Sequence, residues 1–465
     1  MKKTKIICSI GPASNNADVM EQMVLAGMNV ARINFSHATM EERQMAQDSA
    51  REVRKRTGKN VAILWDTKGP EFRSGVLEGE SINLVEGKTI RIVKDNVIGN
   101  EERITVNHPN VLNNLVVGDV VLLENAKMKI EVISKETDGV TCKIVNGGKL
   151  GNRKSLSVPG KKLDIPYISE TDREDIIYAC KNGGEFLAIS FVSCPEDVLE
   201  VKEILKEQGR EDLQIICKIE SELGIKNLEK ILEVSDGAMV ARGDLGTEIP
   251  SEMLPIVQKK MIKTCRRMNK ICIVATEMLE TMMENTRPKR AETSDIANAV
   301  FDGTDAVMLS GETTVGKHPI ETVRAMANIC KTAEKFAEFN YEPTTNNITT
   351  AIARSVIDSV DLLNAKLICA ATMTGQTARV ISNLKPKAPI LALVPDDKTG
   401  RKLALNWGVY PVNVGVMDST DDIIRVAKEK AIEKHNLEKD DIIVITGSLP
   451  KHQAKHTNLM KIEQI

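Results

Sequence analysis

The stretch KIICSIGPASNNADVMEQMVLAGMNVARINF, Lys5 to Phe35, decides how the rest of this chain is read. It opens on a short apolar run, Lys5 to Ser9, and crosses a polar turn. From Ala17 to Leu25 the apolar residues recur at helical spacing, up to Gly27, a fitting cap. Val30 to Phe35 is strand-like again. Further out, Met40 to Arg56 is a charged amphipathic helix closed by Gly58, and Val61 to Trp65 is a third strand. Strands alternating with helices through short links are the signature of a parallel sheet covered by helices.

The rhythm breaks at Gly69. From there to about Ile165 the chain shows β-type segments, Thr89–Val93, Val120–Leu123, Met128–Ile133 and Thr141–Val145, separated by turn signals such as Asp-Gly and Asn-Gly-Gly. This predicts a small all-β domain of roughly 95 residues inserted into the α/β domain. After Pro166 the alternation resumes. Helices are predicted at Thr171–Cys180, Pro195–Gln208, Ile225–Leu232, Pro250–Met268, Ala291–Phe301 and Pro319–Phe336. The strands between them are Phe186–Phe191, Gln214–Ile219, Gly237–Ala241, Lys270–Ala275 and Ala306–Leu309. Eight strand–helix units in about 240 residues match a (β/α)8 barrel.

Glu338 to Thr350 reads as a polar linker. Beyond it, Lys366–Ala371, Ile390–Val394, Tyr410–Val414 and Ile442–Thr446 are strands of an open doubly wound sheet. The expected architecture is α/β: a TIM barrel over 1–69 and 166–340, split by a β-rich cap domain over 70–165, and a C-terminal open α/β domain over 341–465.

Composition agrees. A chain of 465 residues, 42% apolar and 28% charged, is globular rather than disordered. Lys plus Arg is 63 against 65 for Asp plus Glu, a net charge of -2, so no charge bias points to nucleic acid or an acidic membrane. Aromatics are 3%, too few for base-stacking platforms. The nine cysteines include no C-x-x-C pair, which suits free thiols in a reducing compartment. No apolar run approaches about 18 residues, so no membrane span is expected. The expected location is the cytoplasm.

Barrel sites lie at the carboxyl ends of the strands. Strand two ends Arg32-Ile-Asn34-Phe-Ser36-His37, strand three Asp66-Thr67-Lys68, and strand five Lys218-Ile-Glu220. Strand six ends Arg242-Gly243-Asp244, strand seven Thr276-Glu277, and strand eight Ser310-Gly311-Glu312. Charges at an apolar rim are costly unless paired or bound to ions, so the set suggests an anionic, metal-bound substrate. Lys218 and Glu220 are two apart and share a strand face, as do Arg32, Asn34 and Ser36. Arg242 and Asp244 share one too if the strand continues past Gly243. Glu220 with Asp244 suits Mg²⁺. Lys218 beside them suits a transferring phosphoryl group. Taken singly, Lys218–Glu220 reads equally as a structural salt bridge, Asp66-Thr67 as a cap or turn, Arg32-Asn34-Ser36 as a solvated loop edge, and Ser310-Gly-Glu312 as a turn. Gly311-x4-Gly316-Lys317 resembles a phosphate-binding loop, but His318 replaces the hydroxyl residue and the context is wrong.

The motifs KIICSIGPAS, GMNVARINFSH, LWDTKGPEFRSG, VNGGKLGNRKSLSVPG, SFVSCPEDV, ICKIES, DGAMVARGDLGTEIP, ATEMLETM, NTRPKRAETSDIANAVFDGTDAVMLSGETTVGKHP and KAPILALVPD run collinearly along the chain. In this the chain resembles the pyruvate kinase family. The resemblance implies phosphoryl transfer from phosphoenolpyruvate to ADP, giving pyruvate and ATP. It implies Mg²⁺ (or Mn²⁺) on Glu220 and Asp244, and K⁺ on Asn34, Ser36, Asp66 and Thr67. Lys218 would be the transition-state stabiliser, and Arg32, Lys218, Gly243, Asp244 and Thr276 the substrate contacts. Asn34, Phe35, Ser36, His37, Arg73 and Lys154 would contact nucleotide. Thr276 and Ser310 would relay the proton that completes pyruvate. Glu71 resembles the K⁺-dependent type. The hinges around Gly69-Pro70 and Pro166 would let the cap close.

The chain departs from the family at Glu124-Asn125-Ala126, where Asp-Asp-Gly is usual, and at Glu277, where Gln is usual. The extra carboxylate at Glu277 would shift local pKa values or strengthen a salt bridge. Thr372, Thr374, Gly375 and Thr377 resemble a sugar-phosphate effector loop, and read equally as a capping turn. Pro450 to Lys461, with Lys451, His452, Lys455 and His456, would close over a phosphate or form a solvated tail. Fructose 1,6-bisphosphate is the expected kind of effector, and a homotetramer the expected assembly. The rival readings are a Mg²⁺-dependent enolate lyase or aldolase, and a non-catalytic nucleotide or sugar-phosphate sensor. The first predicts no ADP dependence; the second predicts loss of Lys218, Glu220 or Asp244.

Overall fold

Alternate side chains of the first strand face opposite ways: Ile7 packs into one apolar cluster, Ile6 and Cys8 into another. This is the pattern of a strand with a barrel interior on one side and helices on the other. In the computed structural model, which describes residues 1–339, 347–448 and 456–465, eight parallel strands close into that barrel. They are Lys5–Ser9, Val30–Asn34, Ala62–Asp66, Phe186–Ile189, Gln214–Ile219, Gly237–Ala241, Ile271–Ala275 and Ala306–Leu309, barrel strands one to eight. Strand one pairs with strand eight through Lys5↔Ala306 and with strand two through Cys8↔Ala31.

Local chemistry sets the helix ends. The Asn16 side chain accepts a hydrogen bond from Val19 N at 2.9 Å and starts Ala17–Ala26. A reciprocal Thr39–Glu42 capping box starts Met40–Thr57, and Gly58, at φ 63°, ends it in the left-handed conformation. Two helices differ from expectation. Ile225–Leu232 is two short helices, Glu222–Lys226 and Leu228–Glu233, meeting at Asn227. Pro250–Met268 begins as the 3-10 turn Ser251–Met253, followed by Leu254–Arg267.

The insertion is all-β apart from a 3-10 turn at Pro109–Asn113. Its six-stranded sheet runs, in spatial order, Leu156–Ser157, Val120–Leu123, Met128–Glu136, Gly139–Asn146, Thr89–Val93, Arg103–Thr105, and Ser81–Leu84 pairs with Gly148–Gly151 beside it. It has its own core, including Ile92, Val121, Ile130, Val132 and Cys142. The C-terminal sheet has the order Val409–Asn413, Ile390–Val394, Leu367–Ala371, Ile442–Gly447, Leu459–Gln464. Its last strand is antiparallel and was not expected. Of the stretch Pro450 to Lys461 only the end lies in this strand: Lys461 stands opposite Ile445 and pairs with Glu463 at 2.8 Å. Lys451, His452 and Lys455 lie outside the described residues. So does part of the expected linker. Among the described residues no helix is long and apolar enough to cross a membrane. All nine cysteines are free and buried.

The C-terminal domain closes the barrel floor. Ala404 and Leu405 join the apolar cluster of the barrel interior. Beside them Lys5, 3% exposed, donates from Nζ to the Val409 carbonyl at 2.5 Å and faces the Tyr410 ring at 4.7 Å. Burial pushes its ammonium down from 10.5 to about 7; Lys2 adds to the fall and Glu334 opposes it. Between those values the unfolded chain holds a proton that the folded chain lacks. Stability therefore rises with pH through this window, by about 1.4 kcal/mol per unit, and is lost as pH falls through it. Denaturant melts from pH 7 to 10 should show that slope, joined above about pH 8 by an equal one from Lys2, itself held down to about 8 by burial, and Lys5→Met should leave only the Lys2 share. An unchanged slope in the variant would contradict this placement of Lys5.

Candidate active site

Strand register assembles the barrel mouth. Ser9 lies opposite Arg32, and Asn34 opposite Asp66. Arg32 donates from Nε to Asp66 Oδ2 at 2.6 Å and from Nη1 to Ser9 Oγ at 2.7 Å. Lys218 Nζ lies 3.3 Å from Asp66 Oδ1 and 3.0 Å from Glu220 Oε1, and donates to Ser190 Oγ at 2.7 Å. Glu220 Oε2 accepts from the Phe191 amide at 2.6 Å. Arg32, Asp66, Lys218 and Glu220 thus form one chain of alternating charge, contributed by strands two, three and five.

The chain is buried, and its charges are held by one another. Burial alone would push the Asp66 carboxyl up; the Arg32 guanidinium and Lys218 ammonium outweigh it and hold it below the usual range. Burial works against the Lys218 ammonium, and Asp66 and Glu220 outweigh it. At Glu220 the balance goes the other way. Burial pushes its carboxyl up to about 7, Lys218 opposes, and the nearby Asp244 adds to the rise. Lys218–Glu220 is therefore a salt bridge, as its bland reading had it. It stands at the mouth, with two neighbouring carboxylates, Glu220 and Asp244, left short of positive charge.

Strand six stops at Ala241, and the chain turns directly into the helix Arg242–Glu248. Arg242 and Asp244 consequently do not share a strand face. Arg242 turns inward to Asp295 at 2.6 Å and to the carbonyls of Thr276 at 2.6 Å and Glu277 at 3.0 Å. Asp244 stays exposed at the mouth. The Gly243 amide donates to Thr276 Oγ1 at 2.9 Å. Thr276 sits at φ 67°, a conformation that costs a β-branched residue about 1–3 kcal/mol, and the Arg242 clamp holds it there. Ser310 follows strand eight. Its amide donates to Glu312 Oε2 at 2.7 Å, and Glu312 Oε1 accepts from Leu279 N at 3.0 Å. The Ser310 hydroxyl has no partner among the described residues.

A cavity of about 480 Å³ separates this mouth from the cap. Glu220 and Asp244 line it from the barrel, Arg73 and Lys154 from the cap. Arg73 is braced by Glu71 at 2.6 and 2.9 Å, and Lys154 lies 3.7 Å from Glu124. Barrel and cap thus face each other across one space, with Glu220 belonging both to it and to the charge chain.

Residues 1–323 match the family described as pyruvate kinase, barrel domain, and residues 350–463 match the pyruvate kinase alpha/beta domain. The chain belongs to the pyruvate kinase family. It is 43% identical to a pyruvate kinase of Geobacillus stearothermophilus, over 100% of this chain and 80% of that protein. It is also 43% identical to a pyruvate kinase of Bacillus licheniformis, over 99% of this chain and 80% of the relative. Among solved structures, a pyruvate kinase from Cryptosporidium parvum superposes with a TM-score of 0.94 at 37% identity, covering 100% of this chain and 96% of that one.

Within this pyruvate kinase fold, some expected site residues come together and others do not. Arg32, Asp66, Lys218 and Glu220 do, with Thr67 adjoining; Gly243 and Thr276 touch each other. Asn34, Ser36 and His37 stand on the rim outside the cavity lined by Arg73 and Lys154. Phe35 has its ring buried, stacked on Trp65 at 5.2 Å and covered by Arg43 at 4.5 Å, while its amide bonds Asp66 O and its carbonyl accepts from Arg43. The ring packs into the core with Trp65 and, edge-on, Tyr178. The carboxylate of Glu277 is exposed and forms no ion pair among the described residues, so the expected strengthened salt bridge is absent; only its carbonyl is used. Glu124, Asn125 and Ala126 all adopt positive φ, 48°, 54° and 61°, so the cap turn keeps its left-handed path without glycine. Gly311–Thr314 is a short helix and Lys317 pairs with Glu284, so no phosphate loop forms there.

In the C-terminal domain Thr372 Oγ1 accepts from the Gly375 amide at 3.0 Å, and Thr377 Oγ1 lies 2.8 Å from Thr457 Oγ1. Thr374 is exposed at the start of the helix Gln376–Asn383. Sequence reasoning missed Ser9, Ser190 and the Phe191 amide. All three stand at the ends of strands one and four, where the same strand-end rule would have found them.

Proposed function

We propose that the chain transfers the phosphoryl group of phosphoenolpyruvate to ADP, giving pyruvate and ATP, at the mouth of the barrel under the cap. The observation that carries this is the buried Arg32–Asp66–Lys218–Glu220 chain opening onto a cavity whose opposite wall is Arg73 and Lys154. Both substrates are anions, and the cations lie where two anions would have to approach. Lys218 meets the charge that develops on the moving phosphoryl group, Arg32 orients it, and Arg73 and Lys154 hold the nucleotide phosphates. The Gly243 amide and the strained Thr276 position the enolate. The uncommitted Ser310 hydroxyl is suited to passing the proton to the enolate carbon. Cap closure on the Gly69-Pro70 and Pro166 hinges excludes water, which would otherwise take the phosphoryl group.

The residues fit the two cations that the family uses. Glu220 and Asp244 are two carboxylates short of positive charge, suited to Mg²⁺ or Mn²⁺ completed by water and phosphate oxygens. Bound there, such an ion would neutralise charge on the phosphate groups. Asp66 Oδ1 is buried without a hydrogen bond, its 3.3 Å approach to Lys218 being an ion contact only; with Thr67, Asn34 and Ser36 it suits K⁺. Glu71 is committed to Lys68 and Arg73 and supplies no cation of its own. Exchanging K⁺ for Na⁺ or Tris should lower activity by about tenfold or more; full activity without K⁺ would exclude this reading.

A coupled assay for pyruvate tests the function. Pyruvate should form only when ADP is present; formation without ADP would favour the lyase reading, and none at all the sensor. The chain is further read as cytoplasmic, homotetrameric and activated by a sugar phosphate such as fructose 1,6-bisphosphate at Thr372, Thr374, Gly375 and Thr377. Joint Thr372→Ala and Thr377→Ala substitution should abolish that activation; an unchanged response would reject the site.

A further inference from the structure

A second cavity, of about 210 Å³, lies on the opposite side of the barrel from the mouth. It is a half-open cleft between the amino ends of barrel strands five, six and seven and the helix Gln376–Asn383 of the C-terminal domain. Gln214, Asp236 and Lys270 face it from the barrel, and Arg379, Asn383 and Asn406 from the other side. None of them takes part in the mouth.

Its walls carry unmet hydrogen-bonding capacity. Gln214 donates from Nε2 to the Lys402 carbonyl at 2.9 Å, which fixes the orientation of its amide and leaves Oε1 buried without a partner. Asn406 Oδ1 is in the same state, and both residues are only 5% exposed. Arg379 Nε is buried and unpartnered as well, and the Arg379 side chain makes no hydrogen bond or ion pair among the described residues. Burial lowers its pKa and Asp236 opposes this only in part. Arginines drawn partly out of water are ordinarily paired, and the half-buried Arg379 is not.

We propose that this interdomain cavity binds a small anion, a carboxylate or phosphate monoester that also carries hydroxyl or amine donors. Arg379 holds the anionic group, and the carbonyl oxygens of Gln214 and Asn406 accept from the donors. The charges agree. Arg379 and Lys270 face one carboxylate, Asp236, while Asp305 is taken up by the buried Lys385. The cleft is thus left with one positive charge in excess, which favours an anion. Water alone would satisfy the hydrogen bonds but not the charge. The planar guanidinium fork matches carboxylate or phosphate geometry. Such a ligand would touch both domains, and strands five, six and seven lead from it to Lys218, Glu220, Gly243 and Thr276.

The test is ligand-induced stabilisation of the full-length protein, followed by calorimetric titration. The probes are D-glycerate, glycerol 3-phosphate, inorganic phosphate and glycerol. A saturable rise in Tm is expected with at least one of the two hydroxylated anions, exceeding that with inorganic phosphate, and none with neutral glycerol. Arg379→Gln should weaken binding about tenfold or more, and so should Asn406→Asp, which keeps the shape but repels an anion. Should Arg379→Gln fold poorly, the aspartate variant alone decides. Lys218→Gln and Thr377→Ala should leave the response intact, separating this site from the mouth and from the effector loop. No saturable shift up to about 10 mM of either hydroxylated anion would overturn the proposal. So would an unchanged response in the Arg379 and Asn406 variants, or a response lost with Lys218 or Thr377.

Discussion

Lys218→Gln is expected to lower kcat by about three orders of magnitude and, independently, to destabilise the protein. The kinetic loss follows from removing a preorganised cation at the point where charge shifts between two anions, an effect that costs about 10²–10³ or more in comparable sites. The loss of stability follows from the charge chain. Lys218 is the ammonium between Asp66 Oδ1 and Glu220 Oε1, whose side chains are each 1% exposed. Breaking a buried pair by removing one partner costs about 3–5 kcal/mol. Steady-state kinetics well below the variant's Tm separates the two effects. A kcat within tenfold of the parent would remove Lys218 from the chemistry, whatever happened to the melting curve.

Glu220→Gln should do the reverse to stability while still losing activity. The glutamine amide oxygen can keep the hydrogen bond from Phe191 N, and it lacks the charge that the site holds at a cost. Because the folded-state pKa of Glu220 is raised from 4.5 to about 7, the glutamate form loses stability as pH rises through that interval. Glutamine does not titrate. In metal-free buffer at pH 8 the variant should melt at or above the parent's temperature. Its affinity for Mn²⁺, read by electron paramagnetic resonance, should fall about a hundredfold, and kcat with it, because one of two ion-binding carboxylates is gone. Unchanged Mn²⁺ affinity would show that the carboxylate pair is not the ion site. The opposite stability effects at two adjoining residues of one network distinguish a cation that binds the network together from an acid that waits for a metal.

Much of this was legible in the sequence because barrel strands announce themselves. Gln214–Ile219, Gly237–Ala241 and Ala306–Leu309 are short apolar runs between helices, and the residue after each run falls at the mouth by construction. Lys218 and Glu220 needed only the two-residue period of a strand. What failed depended on where a strand stops. The run ending at Ala241 does not tell whether Gly243 continues the strand or begins a helix, so the face of Arg242 stays open in the sequence, while in the structure it braces Thr276 from behind. Phe35 lies inside a motif whose polar members reach the rim, and nothing in its spacing marks the ring as a partner of Trp65. The strand Leu459–Gln464 is alternating, charged and at a sheet edge, and such a segment reads as a tail until its partner, Ile442–Gly447, is known. The floor contacts of Lys5, Gln214 and Arg379 join residues more than a domain apart in sequence, beyond any local pattern.

The central claim is that the phosphoryl group passes to ADP and is shielded from water by the cap. Phosphorus-31 NMR of the purified protein with phosphoenolpyruvate, ADP, Mg²⁺ and K⁺ measures this directly. The account predicts that the phosphoenolpyruvate resonance falls as the γ-phosphate resonance of ATP grows in equal amount. Growth of inorganic phosphate in its place, or consumption of phosphoenolpyruvate without ADP, would contradict it.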